Sequence, residues 1–166
     1  VPHGEDESGL GWVLLSIVEK SGESFVFAPD VQGPIDPETV NLILREKPTL
    51  LVMGGPPTYL RGFKVREEFF QTALQNMETL ASQIETVVID HHVLRDEGWS
   101  EFLKPVRDTA EKNGHRVITA AELLKRESEP LEYRRKEFYE HEKPSADFLK
   151  WSKLPKEKLN QTPPPL

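Results

Sequence analysis

Short apolar runs set off by turn-forming residues predict alternating strands and helices along most of the chain. Residues 12–18 (WVLLSIV) and 25–28 (FVFA) each read as a strand, and Ser21-Gly22-Glu23 between them makes the pair an antiparallel hairpin. Residues 49–53 (TLLVM) and 86–89 (TVVI) are too short and too rich in Val, Ile and Leu for surface helices, so they read as buried strands. Residues 116–119 supply a last strand, which runs into 120–125. The helices fall between. Asp36 stands at an N-cap with Pro37 at the first helical position and Glu38 in the first turn, opening a helix to about Arg45. Across 64–82, Val65, Phe69, Ala73, Leu74, Met77, Leu80 and Ala81 recur at three and four, the stripe of an amphipathic helix turned to a core. A third helix spans 99–113 and stops at Gly114.

The expected fold is therefore α/β, with an antiparallel-containing mixed sheet backed by helices on one face. The pattern changes near Ser128. Arg134, Arg135, Lys136, Glu137 and Glu140 suggest a charged helix whose apolar face is Leu131, Tyr133, Phe138, Phe148, Leu149 and Trp151. The expected divisions are a domain at 1–125, a helical extension packed on it at 126–154, and a Pro-rich tail at 155–166 that is loose or strapped over the surface.

Composition narrows the chemistry. The chain has 166 residues, 37% of them hydrophobic and 30% charged, and a net charge of −7. That is enough for one domain with a sizeable core. The acid excess, including Glu5-Asp6-Glu7, lies before Lys125, which argues against bulk nucleic-acid binding. No apolar run approaches the ~20 residues that span a bilayer, so no membrane partner is expected and the expected location is cytoplasmic. Cysteine is absent, so any bound metal must be held by His, Asp and Glu.

Those residue types collect at strand ends. The 86–89 strand stops on Asp90-His91-His92, where an α/β fold places its chemistry. The 25–28 strand gives way to PDVQGP, whose Gly and prolines hold Asp30 out on a stiff loop. His3 stands at the entrance to the chain. Each has a plain alternative, such as a capped strand end, a turn aspartate or a solvated histidine. Together they offer ligands suited to Zn²⁺, Mn²⁺ or Fe, and a carboxylate can bridge two ions. The Gly54-Gly55 pair after the 49–53 strand suggests backbone approaching a ligand. The GxxxxGK[ST] and GxGxxG spacings of nucleotide loops are missing. His115 and His141 are expected on the surface.

The segments VPHG (1–4), FVFAPDVQGP (25–34), LLVMGGPPTYL (50–60) and VVIDHHVLRD (87–96) resemble the C-terminal half of a metallo-β-lactamase-fold protein. The likeness is to a largely archaeal family of predicted metal-dependent hydrolases, and it covers residues 1–121. It implies half of an αββα sandwich. By that resemblance His3 matches the third ligand motif and Asp30 the bridging aspartate. The fifth motif selects His91, with Arg95 as the later basic residue that clamps an anionic group, while His92 stays open as the ligand instead.

The same resemblance implies two divalent metals, Zn before Mn or Fe, and hydrolysis of an anionic small molecule or phosphoester. The HxHxDH motif that normally precedes His3 is not in the sequence. The chain alone is therefore expected to be inactive, and an N-terminal half carrying HxHxDH is its expected partner, with a homo-oligomer also open. Two other readings compete: a DHH-type Mn-dependent phosphoesterase, and a non-catalytic interaction module.

Overall fold

Five strands form one mixed sheet in the order of the chain: β1 (Ser16–Lys20), β2 (Glu23–Ala28), β3 (Leu50–Gly54), β4 (Thr86–Asp90) and β5 (Arg116–Thr119). The computed structural model describes residues 1–4 and 9–165, so the Glu5-Asp6-Glu7 run lies outside the described residues. β1 and β2 pair antiparallel, and β2 to β5 are parallel throughout. The connecting helices are α1 (Pro37–Arg45), α2 (Glu67–Gln83) and α3 (Trp99–Lys112), and a short α4 (Ala120–Leu123) follows β5. Parallel neighbours need such crossovers, whereas β1 and β2 need only a tight turn.

The core lies on one face of the sheet. Val26, Ala28, Leu51, Met53, Val87, Ile89 and Val117 alternate inward and meet Val40 and Ile43 of α1, Met77 and Leu80 of α2, and Leu103 and Val106 of α3. On the other face the register aligns Phe27, Val52, Val88 and Ile118 in a row. Val88 is buried, but Phe27 is 41% exposed and Val18, at the same face, 55%.

The helix ends follow local rules. Asp36 accepts a hydrogen bond from the Thr39 amide at 2.7 Å, and Pro37 opens α1. Gly114 leaves α3 with φ +74°, which glycine adopts freely.

Four expectations are corrected. The first strand begins at Ser16, not Trp12, because residues 11–13 are drawn to the start of the chain. Val13 N donates to Val1 O and His3 N to Gly11 O, both at 2.9 Å. The 64–82 helix begins at Glu67, because the amides of Phe63, Lys64 and Val65 all turn back to the Leu60 carbonyl. His115 is half-buried, with Nδ1 3.1 Å from the Ala81 carbonyl, and is not a plain surface residue.

The charged segment forms no single helix. It divides into α5 (Arg135–His141), α6 (Ala146–Trp151) and α7 (Lys156–Leu159), with Pro144 and Pro155 falling between them. Residues 134–166 make one compact unit and residues 1–133 another. Within the smaller unit, α6 is capped by Ser145, Phe148 stacks near Trp151 at 5.4 Å, and the Trp151 indole donates to the Thr162 carbonyl at 2.8 Å.

Candidate metal centre

Register brings the site together. Ala28 pairs with Met53 and Met53 with Ile89, while Gly54 pairs with Asp90. One row further on come Asp30, Gly55 and His91. Strands lie about 4.8 Å apart, so the Asp30 and His91 backbones stand two spacings apart with a glycine between them. The Asp30 and His91 side chains converge there, with Asp30 Oδ1 3.2 Å from His91 Nε2.

Local backbone aims them. Asp30 and His91 both lie in the left-handed region, at φ +50° and +67°, and so does Gln32 at +58°. Non-glycine residues rarely adopt that region, and such strain gathers where a structure must turn side chains to a purpose. His91 opens a 3-10 turn, His91–Arg95, immediately after β4. Its reversed backbone returns its ring toward Asp30 while His92 approaches from the more enclosed side. His3 is fixed by its amide bond to Gly11 and by Gly4, where an added Cβ would meet Gln32 Oε1 at 2.9 Å.

The two glycines after β3 are spacers. A Cβ on Gly54 would lie 2.8 Å from the Asp30 amide nitrogen, and one on Gly55 would lie 2.5 Å from Val93 Cγ1. Two of their polar groups serve the fold: the Gly55 amide donates to the Asp90 carbonyl at 3.0 Å, and the Gly54 carbonyl accepts from the Gly33 amide at 2.9 Å. The pair lets the Asp30 loop and the histidine turn approach each other.

His3, Asp30 and His92 each present a ligand atom within 4.8 Å of the others, the one such acid–histidine group among the described residues. His91 is not in that group, but it too reaches Asp30. Asp30 Oδ1 is 3.2 Å from His91 Nε2 and 3.3 Å from His92 Nε2. Although that close to both rings, Oδ1 makes no hydrogen bond and is sealed from solvent. The proximity is real and the N–H directions miss. Ligands of a tetrahedral ion bound at ~2.1 Å stand roughly 3.4 Å apart, so the spacing suits atoms that share an ion better than atoms that share a proton.

Electrostatics keep one ring ready. The His92 imidazole is held from its usual 6.5 down to about 4, chiefly because burial strips water from its charged form. Coulombic interaction with His91, Arg95 and His3 adds to this, and Asp30 opposes it. His92 is therefore neutral near pH 7, so binding a cation does not first have to discharge an imidazolium. The His91 side chain is 43% exposed against 15% for His92, so the first forms the rim and the second the floor. Arg95 closes the 3-10 turn, half-buried. The Asp90 side chain faces solvent.

Sequence reasoning did not single out Tyr59. Its hydroxyl lies 3.1 Å from His92 Nδ1, and it rides on a 3-10 turn, Thr58–Leu60, directly after Pro56-Pro57. The signal was present in GGPPTY, where stiff prolines precede an aromatic with a polar tip.

With that geometry, comparison with known proteins adds ancestry. The relatives are archaeal UPF0282 proteins. The chain is 43% identical to the UPF0282 protein of Saccharolobus solfataricus over 145 residues, covering 86% of this chain and 46% of that one. It is 43% identical to one from Metallosphaera sedula over 140 residues, 84% of this chain and 45% of the relative. With one from Korarchaeum cryptofilum the identity is 35% over 138 residues, 83% and 46% of the two chains. The chain thus spans about half the length of these relatives, and their names state no activity. No family model matches the sequence, and no solved structure matches the chain.

Proposed function

We propose that this chain carries the bridging half of a two-metal hydrolase site of the metallo-β-lactamase type. The observation that carries the reading is Asp30 Oδ1, sealed from water, without a hydrogen bond, and placed between two histidine nitrogens at 3.2 and 3.3 Å. A carboxylate in that position suits two cations better than none. His3, Asp30 and His92 would hold one ion, and Asp30 with His91 the second. When bound, such a pair supplies Lewis acidity for hydrolysis of a phosphoester or acyl bond, with Zn favoured over Mn or Fe by the histidine-rich set.

The remaining roles belong to the protein. His91, at the exposed rim, would hold an ion where substrate can reach it, and Arg95 offers a fork of donors to an anionic group. The enclosed side, built by His3 and His92, keeps water from the floor. The set is short of a full complement for two ions. The further ligands would be those of an HxHxDH half, with which the set would be complete.

The bare side of the sheet supports the same architecture. Val18 and Phe27 are exposed, and Phe25, Leu50, Val52 and Ile118 are only half-covered, as expected of one layer of an αββα sandwich awaiting the other. No helix among the described residues is long and apolar enough to cross a membrane.

Metal analysis and phosphodiesterase assay of a length comparable to the relatives tests the reading. Two equivalents of metal and turnover are expected, with D30A losing both while its circular dichroism stays that of the parent. Retention of two metals by D30A would overturn the reading.

A further inference from the structure

The geometry points to Tyr59 as a positioning residue for His92, able to hold the same ring orientation in both of the states the site must adopt. The inference deepens the metal-site reading and rests on it for one of those two states.

His92 uses its two nitrogens in opposite directions. Nε2 faces Asp30 Oδ1 at 3.3 Å, and Nδ1 faces the Tyr59 hydroxyl at 3.1 Å. In a neutral imidazole, one nitrogen carries the proton and the other is a lone pair, and the partner of one decides the state of the other. Without metal, the negative Asp30 carboxylate 3.3 Å away favours the proton on Nε2, by charge and not through a formed hydrogen bond, and Nδ1 then accepts. With Nε2 given to a cation, the proton moves to Nδ1, which must donate. A backbone carbonyl could serve only the second state and an ammonium only the first. A phenol serves both, because its hydroxyl donates or accepts by rotating about one bond.

The setting of Tyr59 fits that task. Its ring is 41% exposed, so it is not placed by burial in the core. It stands 6.2 Å from the His92 ring centre, tilted by 34°, which leaves the tip-to-ring bond as the main contact between the two. The turn that delivers it is firm. Thr58 and Leu60 bond back to the carbonyls of Pro56 and Pro57 at 2.9 Å, and Thr58 itself is buried. Partners of this kind, one shell out from a metal, set ligand orientation and tautomer, and losing one weakens metal binding about 10- to 100-fold.

Two measurements on purified protein of a length comparable to the relatives decide it. Ring-nitrogen NMR of the metal-free protein at neutral pH should show His92 protonated at Nε2 and accepting at Nδ1, and Y59F should convert it to a mixture. Co²⁺ titration followed by visible absorption should give Y59F an affinity about 10- to 100-fold lower than the parent, with altered d–d bands. Y139F, at a solvent-facing tyrosine, should change neither. Unchanged tautomer and unchanged Co²⁺ affinity in Y59F would overturn the proposal, as would an Nδ1-protonated His92 in the metal-free parent. If the parent takes up no Co²⁺, the metal-site reading fails, and the NMR result still decides whether Tyr59 holds His92.

Discussion

His92 couples stability to pH in a direction that can be worked out. Its folded-state pKa, about 4, lies below the ordinary 6.5, so between those values the unfolded chain binds a proton that the folded chain refuses. Stability therefore rises with pH across that window and is lost as pH falls through it. In metal-free protein, thermal denaturation between pH 6.5 and 4 should steepen this decline relative to H92Q, which lacks the buried imidazole. Parallel curves for the two proteins would show that His92 is not the group involved. That Asp30 would meet other polar groups was suggested by its place between an apolar run and a stiff turn, whereas His3 was marked only by its place at the chain entrance and by the resemblance. The choice between His91 and His92 was not legible. Alternation tells which way a side chain points only while the strand lasts, and β4 ends at Asp90. Beyond it the left-handed turn at His91 brings both rings to the same oxygen, which no two-residue period can express.

At the scale of elements, the site depends on how closely three strand ends approach. Gly54 and Gly55 set that distance, one beneath the Asp30 loop and one beneath the histidine turn. The sequence showed that something must come near this backbone, but not what, since a ligand and a neighbouring loop leave the same glycine signature. G55A should cost about 1–3 kcal/mol of stability by overpacking against Val93, and it should displace the turn that carries both histidines. Adding V93A to G55A should recover part of that loss in chemical denaturation, because the two sites share the clash. Purely additive effects would place the strain elsewhere. The five strands and three main helices were readable from period and caps, whereas the ends at Ser16 and Glu67 were not. Both were decided by backbone bonds to distant residues or back to Leu60, which propensity does not encode.

Across the whole molecule, the helix-covered side of the sheet is finished and the other is not. Such a surface should draw hydrophobic dyes and encourage self-association as concentration rises, and pairing with the proposed companion half should abolish both. The approach to β1 is the barest part, with Leu14 at 80% and Trp12 at 74% exposure. Trp12 accordingly sits in water, and its fluorescence should be red-shifted. In a variant with Trp99 and Trp151 replaced by Phe, that emission should move to shorter wavelength if the companion half reaches the groove that Trp12 shares with Thr39 and Leu42 of α1, and stay put if it covers only the bare face of the sheet. Trp12 would thus serve as an optical gauge of any such pairing, followed in real time without a label and without knowing the substrate.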